Sequence, residues 1–142
     1  MLLMLEDNPE RIERFTATLK AIDPTIRLVL WRNAWSMIGE MATFLPQARL
    51  ISLDHDLEPI DGDKRDPGDG LEVTKFLVAQ PVKCPVIIHS SNTERSTWMA
   101  GEFELARWKY KSVAPIGDDW IEQDWRRVAQ RFLKQSRSPR LS

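Results

Sequence analysis

The chain has 142 residues, enough for one domain with a sizeable core, and 42% of them are apolar, which argues against a disordered chain. Its 20 basic and 21 acidic residues nearly balance, so no broad basic field points to nucleic acid, although a local patch could still contact a phosphate backbone. A single cysteine, Cys84, excludes an internal disulfide and fits a reducing, cytoplasmic compartment.

The opening MLLMLE reads as a first strand. It is too short and too soon acidic for a signal peptide. No apolar run approaches the ~20 residues of a membrane span, so no membrane partner is expected. A helix over 8–22 follows, with Asn8 as cap, Pro9 in the first turn, and Ile12, Phe15 and Leu19 on one face. IRLVLW is a second strand, closed by Trp31. The second helix spans 33–45, with Trp35, Ile38, Met41 and Leu45 spaced for burial. ARLISLD is a third strand. EPIDGDKRDPGDG, residues 58–70, is a turn-dense loop, either a solvated insertion or a lid. Its aspartates and glycines fail the EF-hand spacing. A third helix covers 70–80, with Leu71, Val73, Phe76 and Leu77 inward. Cys84 is read as a small buried residue just before PVIIH, the fourth strand. A fourth helix spans 93–108, and a short fifth strand is expected at Lys111–Ala114. The last helix covers 118–135, so a single domain over 1–136 precedes a frayed tail at 137–142. Trp98 and Trp125 are placed on inner helical faces. Trp108 and Trp120 flank the fifth strand, where packing at the core boundary competes with stacking on a base. RWKYK, residues 107–111, is a solvated helix end or a contact to a nucleic-acid backbone.

Five strand-then-helix units imply a parallel five-stranded sheet with helices on both faces. In such folds the working site lies beyond the carboxyl ends of the strands. Three of those ends are polar: Glu6-Asp7, Asp54-His55-Asp56 and His89-Ser90-Ser91-Asn92. The two histidines are the only ones in the chain. Four carboxylates at adjoining strand ends would repel one another, and a divalent cation would relieve this. Oxygen ligands from Glu6, Asp7, Asp54 and Asp56 suit Mg2+ or Mn2+.

An acidic pair, then a single aspartate, then a hydroxyl at successive strand ends resembles the receiver domain of two-component response regulators. The resemblance implies a (βα)5, flavodoxin-like three-layer sandwich. It matches Glu6 and Asp7 to the metal-binding pair, Asp54 to the phosphate-accepting aspartate, and Ser90 to the hydroxyl after strand four. DPGDGLEVTKFL is similar to the segment that opens helix three. Receivers end strand five with a lysine before proline, whereas SVAPIG has Ala114 before Pro115. Two histidines are added, in DHDL and HSSN. That combination is similar to the divergent receiver branch associated with cyclic-phosphate processing in RNA repair and nucleotide metabolism. It implies hydrolysis or binding of cyclic phosphate ends of nucleotides or RNA.

Hydrolysis of a cyclic phosphodiester needs a base for water and an acid for the leaving sugar oxygen, which a histidine pair can supply. In a receiver-like strand order His55 and His89 end neighbouring strands and could bracket one phosphate, with Asp54 or Asp56 fixing the His55 tautomer. Ser90, Ser91 and Asn92 could donate to phosphate oxygens, or could instead cap the fourth helix. Two other readings stay open: a receiver phosphorylated on Asp54, and a degenerate receiver that only binds a protein partner.

Overall fold

The central strands, LLML, LISL and VII, carry mostly apolar side chains on both sides, so each of them must be covered twice. The computed structural model describes residues 1–59 and 65–137. Its strands are β1 (Leu2–Leu5), β2 (Leu28–Trp31), β3 (Leu50–Leu53), β4 (Val86–Ile88) and β5 (Tyr110–Ser112). They form one parallel sheet in the order β2-β1-β3-β4-β5. The helices are α1 (Pro9–Ile22), α2 (Ala34–Phe44), α3 (Gly70–Val78), α4 (Thr93–Leu105) and α5 (Arg126–Arg137).

Alternation along the strands divides the core in two. Leu3, Leu5, Ile51, Leu53, Val86 and Ile88 pack with Met37 and Met41 of α2, Val73 and Leu77 of α3, and Met99 and Phe103 of α4. Leu2, Met4, Leu50 and Ile87 pack with Phe15 and Leu19 of α1 and with Trp120, Ile121, Trp125 and Phe132. This is the three-layer receiver-like sandwich. Connections leave β1 for β2 in one direction and for β3, β4 and β5 in the other. The switch in strand order therefore lies between β1 and β3, where their carboxyl ends carry Glu6 and Asp54.

Several boundaries differ from the sequence reading. α4 stops at Leu105, three residues early, because Arg107 takes a left-handed conformation (φ 63°) that the helix cannot continue through. β5 pairs over Tyr110–Ser112 rather than 111–114; Val113 still donates to the Ile88 carbonyl, and the ladder ends before Pro115, which has no N–H. The last helix opens as a π turn, Ile121–Trp125, that brings Ile121 and Trp125 into the core. Trp125 is buried as expected, but Trp35 and Trp98 are about half exposed, at 49% and 45%. The buried stripe of α2 runs through Ala34, Met37 and Met41 instead of Trp35 and Ile38. Trp108 and Trp120 pack inside, and Cys84 is buried. Two side chains of RWKYK are engaged locally: Lys109 bonds Gln135 and lies over the Phe132 ring, and Tyr110 donates to Glu104. The expected tail overlaps α5 at Arg137, and its residues 138–142 lie outside the described residues, as do 60–64 of the long loop. Among the described residues no helix is long and apolar enough to cross a membrane.

Candidate functional site

β1 delivers Glu6 and β3 delivers Asp54, because the strands are in register and Asp54 donates its N–H to the Leu5 carbonyl. Asn8 caps α1 by accepting from the Arg11 amide, which turns the chain sharply after Asp7. Glu6, Asp7 and Asp54 each present a carboxylate oxygen, and these lie within 4.8 Å of one another. They line a pocket of about 540 Å3 with Arg11, Arg32, Asp56, Glu58 and Ser91. A second pocket of about 600 Å3 lies at the opposite, amino ends of β3, β4 and β5, beside Arg49, Cys84 and Lys109.

Glu6 is fully buried. Its Oε2 accepts from the Asp7 and Asn8 amides at 2.9 and 3.1 Å. Burial alone would raise its pKa, but His89, the Asn8 amide and Arg11 outweigh burial and hold it at about 2. Asp54 shows the opposite balance. Burial first, then the Glu6 charge, push it up to about 8, despite a 2.7 Å hydrogen bond from the His55 amide. Asp7 is also raised, by burial and by Glu6, although Glu58 donates its amide to it. The donor set is all oxygen, crowded with like charge, and leaves Glu6 Oε1 buried without a hydrogen bond. These features fit a hard divalent cation such as Mg2+ or Mn2+.

The other candidates separate. Asp56 is outside the three-carboxylate cluster. Its side chain is 61% exposed, its Oδ1 lies 2.7 Å from His55 Nδ1, and both its oxygens lie 3.3 Å from the Asn92 amide nitrogen. Ser90 turns inward and accepts from the Asn92 amide. Asn92 caps α4 by accepting from the Arg95 amide. Ser91 is the hydroxyl that lines the pocket.

The two histidines do not converge. His89 follows Ile87 in the alternation of β4 and faces α1 and the segment that leads into α5, with its ring 4.9 Å from Phe15 and 6.3 Å from Trp120. His55 faces α3, with Nε2 3.6 Å from Asp69, the α3 cap. Neither lines the pocket. A one-residue offset places them on opposite sides: Leu53 pairs with Ile88, so the register sets His89 beside Asp54, not beside His55. The shared histidine clamp is thus corrected. Asp54 belongs to the pocket, and the imidazoles stand behind it on either side.

Two arginines went unremarked in the sequence. Arg11 lies 3.8 Å from Glu6 Oε1 and covers the Trp120 ring at 5.2 Å. Arg32 donates to the Asp7 carbonyl at 2.9 Å. Both line the acidic pocket and bring positive charge to it. The signal available was their position just after the first and second strand ends.

Among solved structures, the fold is similar to the signal receiver domain of a LuxO-type repressor protein from Vibrio parahaemolyticus, at a TM-score of 0.67 and 15% identity, covering 95% of this chain and 90% of that one. It is similar to a phosphorylated cyanobacterial phytochrome response regulator, RcpA, at 0.67 and 17%, covering 96% and 95%. It also resembles the Mn2+-bound form of response regulator Rcp1, at 0.60 and 18%, covering 99% and 97%. No curated protein sequence matches significantly. The family described as the cyclic-phosphate processing receiver domain matches residues 1–105. That span holds all three polar strand ends and the acidic pocket, and by it the chain belongs to the cyclic-phosphate processing receiver family.

Proposed function

We propose that this is a cytoplasmic protein that binds a cyclic phosphate end of a nucleotide or RNA and opens it by hydrolysis. The observation that carries the reading is the meeting of Glu6, Asp7 and Asp54 in one pocket with Arg11 and Arg32. Glu6, Asp7 and Asp54 would hold a divalent cation, Mg2+ or Mn2+, which supplies a Lewis acid for phosphoryl oxygens. Arg11 and Arg32 take the place of the lysine that Ala114 replaces, and pair with the anionic oxygens. Ser91 donates its hydroxyl. The pocket volume falls within the range of small-molecule sites.

In the reaction, the oxygen of a water forms a bond to phosphorus and the bond to one ribose oxygen breaks. Asp56, held by His55 and Asn92, takes the water's proton and returns it to the ribose oxygen. The products are a phosphate monoester and a free hydroxyl. A second reading, a receiver phosphorylated on Asp54 that engages a protein partner, is favoured by the place of Asp54 at the end of β3 within the acidic cluster.

The test is phosphorus NMR of a 2′,3′-cyclic nucleotide with protein and Mn2+. Conversion to a monoester by the wild type, slowed at least about 100-fold by Asp56→Asn, supports hydrolysis. No conversion, with acetyl phosphate instead labelling Asp54, would move the reading to the phosphorylated receiver.

A further inference from the structure

His89 is fully buried and outside the pocket, yet it touches Glu6. Behind it runs a chain of buried polar groups. Trp125 Nε1 lies 3.0 Å from Ser52 Oγ, and Ser52 Oγ lies 2.6 Å from His89 Nδ1. His89 Nε2 then lies 3.3 Å from Glu6 Oε1, poorly aligned for a hydrogen bond. Ser52, His89, Glu6 and Trp125 are all 0% exposed, so bulk solvent does not reach the set. An indole N–H can only donate, so Ser52 Oγ accepts from Trp125. The Ser52 hydroxyl hydrogen is then free to donate to His89 Nδ1. This leaves the ring proton on Nε2, directed at Glu6. The reverse order would give Ser52 Oγ two donors and leave its own hydrogen without an acceptor in the core.

Resting on the metal site proposed above, we propose that Trp125, Ser52 and His89 form a directional relay that orients the Glu6 carboxylate for the cation. His89 is then a positioning residue and not the acid or base of the reaction. With the cation bound the relay would hold Oε1, while the Asp7 and Asn8 amides already hold Oε2. It also couples the metal end of β1 to the π turn that precedes α5, since Trp125 closes that turn. The paired buried atoms without hydrogen bonds, His89 Nε2 and Glu6 Oε1, are where the arrangement would tighten on loading.

The test compares His89→Gln with His89→Asn, with circular dichroism and thermal melts to establish folding of each. The longer glutamine amide reaches the Nε2 position, whereas asparagine reaches only the Nδ1 position. Titration with Mn2+ alone, followed by electron paramagnetic resonance, should show near wild-type affinity for His89→Gln and a loss of about 10–100-fold for His89→Asn. Nitrogen-15 NMR of the metal-free wild type should place the His89 proton on Nε2 and leave Nδ1 bare. A proton on Nδ1, or unchanged Mn2+ affinity in a folded His89→Asn, overturns the relay. If the wild type itself binds no Mn2+, the metal site falls and the relay with it. Should either histidine variant fail to fold, Ser52→Ala carries the test: it should lower the Mn2+ affinity, and an unchanged affinity overturns the proposal.

Discussion

Asp54 sits where burial and charge conflict. Its carboxyl is pushed up to about 8 by burial and by Glu6, so ionising it in the folded, metal-free protein costs stability. The folded state keeps a proton that the unfolded chain releases near pH 3.8, so stability contributed by this residue falls as pH rises through that window. Asp54→Asn removes the charge at nearly constant shape. At pH 8 and with a chelator present, the variant should melt roughly 3–8 °C above the wild type by differential scanning calorimetry. An equal or lower melting temperature would contradict the assigned strain. Cys84 gives a second residue-scale expectation. Burial pushes its thiol up to about 12, so it should resist alkylating reagents at pH 8 in the native state and react at once in denaturant. The buried places of Asp54 and Cys84 were both legible in the sequence, since each interrupts or adjoins an apolar strand. The histidines were misread for a geometric reason. Their positions at two strand ends suggested one site, but side-chain parity depends on the register between strands, which no single strand reveals.

At the scale of elements, the start of α3 is fitted against the end of β3. The Gly70 amide donates to the His55 carbonyl at 2.9 Å. A Cβ on Gly70 would lie 2.0 Å from the Asp54 carbonyl oxygen, a clash with backbone that cannot relax cheaply. Gly70→Ala should therefore destabilise by at least about 3 kcal/mol in urea unfolding, and should disturb the Asp54 region before the distant α5 side. A cost under about 1 kcal/mol would show that the strand and helix ends are less tightly joined. Glycine in this turn-rich segment was visible from the sequence, but its contact was not, because it depends on how closely the helix approaches the sheet. The caps Asn8 and Asn92 were readable, since they act within their own helix. The π turn and the left-handed Arg107 were not, because tertiary packing of Trp125 and Trp108 sets them.

Across the whole molecule, the alternation of strands and helices and the doubly apolar strands were enough to specify a parallel sheet with two covered faces. The polar strand ends then fall together by topology, which is why the acidic cluster could be read before any coordinates. The countercharges could not, because Arg11 and Arg32 approach from a helix and a loop whose directions depend on the folded whole. The assembled pocket has three clustered carboxylates, with Asp7 and Asp54 raised by burial and by Glu6, and two arginines at its wall. Such a site should favour a cation and an anion together over either one by itself. The most direct measurement is Mn2+ binding by electron paramagnetic resonance with and without a 2′,3′-cyclic nucleotide, for wild type and Asp54→Asn. The account predicts one bound Mn2+ in the wild type, tighter with nucleotide present, and loss of both effects in Asp54→Asn. Absence of Mn2+ binding, or equal binding by the two proteins, would contradict it.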